Sequence, residues 1–255
     1  MKLVVAVSLA AAVALHAAAT DPDPSVTPIS TDRPAVTDSS VVVPFGSLQV
    51  ENGFADTVSQ GQATLDGPET LLRFGVASKT ELRLTVPDYF APLGIDASGF
   101  GDVAIGVKQQ LGPVPGGFDV SLVVSVSLPS GAKAISSQGY DPFVQLPWSR
   151  SLSSNWTAAG MFSVYWPTVQ ARRHVTGETT FLIDRQLTKL WDAFLEYAGD
   201  FHEQGGPRHL IHAGTAFKPT PHQQIDLHAG WGLSSATVDH FIGVGYSFRW
   251  QLLKR

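Results

Sequence analysis

From Ser47 onward, apolar and polar residues alternate with a period of two, the pattern of β-strands whose two faces meet different surroundings. In residues 80–87, Leu82, Leu84 and Val86 fall on one side and Glu81, Arg83 and Thr85 on the other. Residues 102–111 set Val103, Ile105, Val107 and Leu111 against Asp102, Gly106, Lys108 and Gln110. Residues 119–128 set Val120, Leu122, Val124, Val126 and Leu128 against Asp119, Ser121, Ser125 and Ser127. Residues 224–231 oppose Ile225, Leu227, Ala229 and Trp231 to Gln224, Asp226, His228 and Gly230. The last segment opposes Ile242, Val244, Tyr246, Phe248 and Trp250 to Asp239, Gly243, Gly245, Ser247 and Arg249. Weaker strand candidates lie near 47–58, 69–76, 140–150, 155–166, 176–188, 189–199 and 208–218, giving about twelve strands in all. Turn signals separate them: Ala77-Ser78-Lys79, Gly112-Pro113 to Gly116-Gly117, Ser151 to Ser154, and Gly205-Gly206-Pro207.

Segments of about ten residues are long enough for a tilted strand to cross a bilayer. Charged residues make up 15% of the 255-residue chain, well under the roughly 25% of a soluble domain, while the hydrophobic share is an ordinary 44%. Ser, Thr, Gly and Gln have taken the place of charge, as suits strands with one face on lipid and the other on an enclosed wet lumen. The tryptophans Trp148, Trp156, Trp166, Trp191, Trp231 and Trp250 fall mainly near predicted strand ends, where amphipathic rings form the girdles of a membrane barrel. The expected fold is therefore all-β: a closed antiparallel transmembrane β-barrel of about twelve strands over residues 47–255. A soluble periplasmic β-sandwich is the competing architecture, since sandwiches alternate as well.

Two segments precede the barrel. Residues 1–19 read as a signal peptide: Lys2, an apolar run from Leu3 to Leu15, and the small residues Ala17-Ala18-Ala19. This implies export, with the cell outer membrane as destination. Residues 20–46 are rich in Pro, Asp, Ser and Thr. Pro22, Pro24, Pro28, Pro34 and Pro44 exclude a helix or central strand there. We expect an extended segment, either a free tail or a plug that threads the lumen and pairs Asp32, Arg33 and Asp38 with its charges.

The chain has no cysteine, which excludes disulfides and thiol chemistry, and its net charge of −5 carries no nucleic-acid footprint. Late histidines (His202, His209, His212, His222, His228 and His240) do not form a metal signature; His209 and His212, three apart, point to opposite faces of a strand. No Gly-x-Ser-x-Gly or P-loop pattern is present. The reading is a protein that is not an enzyme and uses no cofactor. By parity, Glu51, Arg73, Glu81, Arg83, Asp102 and Lys108 on the first strands are expected to share the interior, as a lumen constriction that selects solutes or as an ion-pair network that fills the barrel.

Certain stretches resemble a known family. These are Thr31-Asp32-Arg33-Pro34, Thr37-Asp38-Ser39-Ser40, Val43-Pro44, Gly46 and Leu48-Gln49-Val50-Glu51-Asn52-Gly53-Phe54. They are followed by Glu69-Thr70-Leu71-Leu72-Arg73-Phe74-Gly75-Val76, Glu81-Leu82-Arg83-Leu84, and Gly101-Asp102 with Lys108. Together they are similar to the phenol-degradation meta-pathway, transporter-like family, most closely over residues 30–130. The resemblance implies an outer-membrane barrel that passes small solutes passively, aromatic or hydrophobic ones among them. Its expected partners are outer-membrane lipid, the solute itself, and the barrel-insertion machinery, which in such proteins reads a C-terminal strand with aromatics at alternate positions. Here Arg249 to Arg255 follow Phe248, a departure from that ending. A structural or binding barrel with a sealed lumen is the alternative function.

Overall fold

The computed structural model describes residues 27–92, 98–203 and 206–253; the candidate signal peptide lies outside the described residues. In chain order the strands are β1 (Ser47–Ser59), β2 (Gln62–Gly67), β3 (Leu71–Ala77), β4 (Thr80–Thr85), β5 (Tyr89–Pro92), β6 (Gly99–Phe100), β7 (Ala104–Gln110), β8 (Phe118–Ser127) and β9 (Asp141–Ser151). They continue as β10 (Trp156–Tyr165), β11 (Thr168–Val169), β12 (Arg172–Arg173), β13 (Thr176–Gln186), β14 (Trp191–His202), β15 (Arg208–Thr220), β16 (Gln223–Gly232) and β17 (His240–Gln251). Twelve of them, β1, β3, β4, β7, β8, β9, β10, β13, β14, β15, β16 and β17, form one antiparallel wall in sequence order.

The wall closes between β17 and β1, paired continuously from Ser47↔Gln251 to Val58↔His240. Closure removes both sheet edges, so every wall strand finds backbone partners on either side, as a bilayer demands. The twelve wall strands coincide with the twelve alternating segments of the sequence. The five additional strands do not. β1 pairs with β3 only over Leu48–Glu51; beyond that it pairs with β2, which continues to β5 and β6. The far half of this sector is thus built from short strands in place of extensions of β3 and β4. β11 and β12 form a separate two-stranded flap.

Most connections at the end that holds Ser47 and Gln251 are tight, with residues 78–79, 152–155, 187–190 and 221–222 among them, and the longest there is 111–117. The opposite end carries the longer ones, including residues 128–140 and 166–175. Short turns mark the periplasmic end in barrels of this architecture.

Parity is observed strand by strand. Leu82, Leu84, Ile105, Val107, Val124, Phe162, Phe181, Leu195, Ile225, Leu227, Ile242 and Val244 are exposed on the outer face. Their neighbours Glu81, Lys108, Ser125, Ser163, Thr180, Glu196 and Asp226 are buried on the inner one. Among the described residues no second layer of protein covers the apolar rows, which separates this architecture from a sandwich. Of the six tryptophans, Trp148, Trp156, Trp191 and Trp250 stand toward the short-turn end, and Trp166 and Trp231 toward the long-loop end.

Candidate functional site

The lumen is occupied. Residues 27–46 lie inside the barrel as an open loop. The loop begins at the short-turn end, where the Ile29 N–H donates to the Pro221 carbonyl (2.7 Å). It rises to Val36–Thr37 and descends to Phe45–Gly46, where the Gly46 N–H meets the Gly75 carbonyl (2.7 Å) and β1 begins. Gly75 has no side chain because none fits: a Cβ there would lie 2.2 Å from the Pro44 carbonyl oxygen. Prolines deny this stretch a continuous set of N–H donors, so the wall holds it mainly through side chains.

Three polar clusters do so. The first brings together Glu51 on β1, Arg73 on β3, Glu81 and Arg83 on β4, and Lys108 on β7. Arg73 is fully buried. It donates from Nε to Glu81 Oε1 and from Nη1 to Glu51 Oε1, both at 2.9 Å, and also to the carbonyls of Ser30 and Val41, both at 3.0 Å. The luminal loop adds Asp32 and Asp38. Asp32 lies 3.1 Å from Arg73, 2.5 Å from Arg83 and 3.0 Å from Lys108, and Asp38 lies 3.1 Å from Arg83. Loop N–H groups complete the carboxylates: Asp32 donates to Glu51 (2.9 Å) and Val43 to Glu81 (2.7 Å). Three cations and four carboxylates thus share one enclosed volume, where an unpaired charge is costly.

Asp102 stands apart from this group. Strand β7 starts only at Ala104, so Asp102 is a loop residue; its carboxylate accepts the N–H groups of Ser130 (3.0 Å) and Gly131 (2.8 Å) and orders the connection between β8 and β9.

The second cluster centres on Arg33, which pairs with Glu69 and reaches Asp226 Oδ1 at 3.3 Å. Gly53 and Gly245, opposite each other on β1 and β17, leave the slot that its guanidinium fills; a Cβ at Gly53 would lie 2.1 Å from Arg33 Cζ.

The third cluster grips the apex of the loop. Glu196 on β14 accepts the N–H of Val36 (2.8 Å), the N–H of Thr37 (2.7 Å) and the Thr37 hydroxyl (2.6 Å). His212 Nδ1 lies 2.8 Å from Glu196 Oε2, His212 Nε2 lies 3.0 Å from His228 Nδ1, and His228 Nε2 lies 3.4 Å from Arg33 Nη2. Arg33 has only donors to offer, which sets the direction of the chain. With both imidazoles neutral, His228 Nε2 accepts from Arg33, His228 Nδ1–H donates to His212, and His212 Nδ1–H donates to Glu196.

Glu196→Gln keeps the shape of this site but sets an NH2 group against donors. It is expected to cost about 1.5–3 kcal/mol at the apex, the range for hydrogen bonds to a charged group. Limited proteolysis within residues 33–38 reads this out; cleavage no faster than in the parent protein counts against it.

Sequence reasoning placed His228 and Asp226 on a polar face but did not join His212, His228 and Glu196, which meet only through the pairing of β14, β15 and β16. Among the described residues no group of three or more His, Asp or Glu side chains is arranged to hold a metal ion. Two cavities of about 310 and 300 Å3 flank Val36 on the long-loop side. The first is lined by Glu178, Asp200 and Arg208, the second by Asp66, Glu69 and Phe241.

With the closed barrel and its filled lumen established, the chain can be set beside known proteins. Residues 31–250 match the model of the family described as "Putative MetA-pathway of phenol degradation". The chain belongs to this family. The match takes in most of the luminal loop, from Thr31, and the wall as far as Trp250. No curated protein sequence matches it.

Among solved structures, an outer membrane channel from Pseudomonas putida F1 is similar at a TM-score of 0.62 and 11% identity, over 83% of this chain and 98% of that one. The NanC porin is similar at 0.57 and 8% identity, and the KdgM porin at 0.53 and 12%, each over 79% of this chain and 98% of theirs. At these identities the likeness is one of fold, and the shared fold is the outer-membrane β-barrel.

Proposed function

We propose that this family member is an outer-membrane channel for passive passage of small solutes, and that residues 27–46 close it in the state described here. The observation that carries this reading is the contrast between the two ways the chain is held. The wall is a closed sheet with an apolar outer face. The loop inside it is tied by backbone bonds at its two ends, at Ile29 to Pro221 and at Phe45–Gly46 to Gly75, and between them hangs on bonds that involve side chains, such as Ser40 Oγ to Ser149 Oγ (2.7 Å) and Thr37 Oγ1 to Thr180 Oγ1 (2.6 Å). Water in a lumen can replace such contacts one by one; it cannot replace the wall. Twelve strands also fall between the side-chain-filled eight-strand barrel and the open sixteen-strand porin, so displacing the loop clears a path. Small aromatic or hydrophobic molecules are the proposed solutes, supported by the phenol link in the family description. The chemistry is transport without catalysis, at the outer membrane of an exporting cell, with Trp148, Trp156, Trp166, Trp191, Trp231 and Trp250 at the lipid headgroups.

The chain has no cysteine, so the pair Ser40→Cys and Ser149→Cys introduces its only thiols. Oxidised, the doubly substituted protein is expected to be silent in planar bilayers; reduced, it is expected to show ohmic steps that small aromatic solutes block. Silence in both states would establish the second reading, a barrel whose lumen stays sealed, which the density of buried ion pairs favours.

A further inference from the structure

The wall segregates charge at its short-turn end. On the strands that build this rim from β8 to β14, the carboxylates Asp119, Asp184 and Asp192 share the parity of the inward residues Ser121, Leu182 and Glu196. The arginines have the opposite parity. Arg150 follows the outward Leu146 and Trp148 on β9, and Arg185 follows the outward Phe181 and Ile183 on β13; both are exposed. Neither has a carboxylate within ion-pair distance among the described residues. Each instead lies over the ring of the residue directly across the sheet: Arg150 over Phe118 and Arg185 over Trp156, both with Cζ 5.1 Å from the ring centroid. Lys189, in the tight turn between β13 and β14, is exposed and has no described ion pair either.

This arrangement is costly against hydrocarbon and uninformative against water, but it suits one surrounding. A guanidinium stacked on an aromatic face is held flat and partly desolvated, and its remaining N–H donors form the planar fork that matches a phosphate. The rings beneath belong to the same level of the wall as Trp148, Trp191 and Phe217, where an aromatic belt meets headgroups. The rim carboxylates are turned into the mouth of the lumen, so they do not compete for the cations.

Resting on the membrane reading above, we infer that Arg150 and Arg185, with Lys189, form a binding surface on the outside of the barrel for anionic phospholipid headgroups in the leaflet at the short-turn end. The occupant is a lipid phosphate and not a free anion, because both arginines are exposed on the apolar outer face beside lipid-facing residues. The surface would fix the depth and rotation of the barrel on the β8–β14 side.

The test uses the full chain and its Arg150→Gln, Arg185→Gln double variant. Each is inserted into vesicles of phosphatidylcholine alone and of equal phosphatidylcholine and phosphatidylglycerol, and co-purifying lipid is counted by native mass spectrometry. The parent protein is expected to retain phosphatidylglycerol over phosphatidylcholine by about fivefold for each arginine, less at high salt. The double variant is expected to insert equally well and to keep only the small preference for phosphatidylglycerol that Lys189 alone supports. Equal phosphatidylglycerol enrichment in parent and variant would overturn the lipid assignment alone. Failure of the parent to insert into either vesicle would overturn the membrane reading, and this inference with it.

Discussion

Removing residues 27–44 is expected to turn a barrel that opens only in intermittent steps into a permanently open ohmic channel. The deletion takes out the loop that crosses the lumen and leaves Phe45 and Gly46, whose contacts with β3 start the first strand. It also removes Asp32 and Asp38 from the first cluster. Arg73, Arg83 and Lys108 would then outnumber Glu51 and Glu81 around a water-filled lumen. Elsewhere in the lumen Glu69 and Asp226 lose Arg33, Glu196 remains, and Asp119, Asp184 and Asp192 face the short-turn mouth. The open channel should therefore favour cations, with a reversal potential shifted accordingly in a salt gradient, and the preference should weaken as salt screens the wall. Single-channel recording of the deletion protein checks both effects. A heat-modifiable, correctly inserted barrel that stays silent would show that the wall itself closes the path, and would end the proposal that the loop is the gate.

The second large effect is on stability. Arg73→Gln is expected to cost about 3–5 kcal/mol, the range for breaking a buried ion pair by removing one partner. The residues differ in what they keep. Glu81 retains Arg83 and Lys108, and Asp32 retains the same two cations. Glu51 retains no cation within ion-pair distance among the described residues, only Gln49 and the N–H groups of Asp32 and Arg33. Adding Glu51→Gln to Arg73→Gln should therefore recover part of the loss, because it removes the stranded charge. Arg83→Gln should cost less than Arg73→Gln: Arg83 is partly exposed, its partners Asp32 and Glu81 keep Arg73, and Asp38, whose ion pair to Arg83 is lost, is itself partly exposed to water. Unfolding midpoints in lipid vesicles rank these variants. Equal midpoints for the parent and both single variants would mean that the network fills space without stabilising the barrel.

The two effects come from residues that were legible to different degrees. Period-two alternation contains the strand count and the facing of each side chain, so Glu51, Arg73, Glu81, Arg83 and Lys108 were placed inside by parity alone. Alternation carries no register, and register is what brings His212 on β15 against His228 on β16 and Glu196 on β14. Weighing His209 against His212 along a single strand asked about neighbours in sequence, where the contact runs across strands. Asp102 was assigned by extending the rhythm of β7 two residues too far; strand ends are where the pattern fades, and a carboxylate there caps loop N–H groups. β2, β5, β6, β11 and β12 escaped notice because two to six residues are too few to display a period. The charged residues of the Pro-rich stretch were visible as potential partners for the lumen. Which of them meets which wall residue depends on the path of a loop with no repeating geometry.

The luminal loop is continuous with β1 through Gly46, and this attachment governs how the channel would respond to anything resembling its own stopper. A tethered segment meets its docking sites at an effective concentration in the millimolar range for a short linker. Reclosure is then a first-order event within one molecule, indifferent to how many barrels a membrane holds. A synthetic peptide with the sequence of residues 27–44, added to the intact protein, would be outcompeted at micromolar doses. The same peptide given to the truncated barrel would meet no rival.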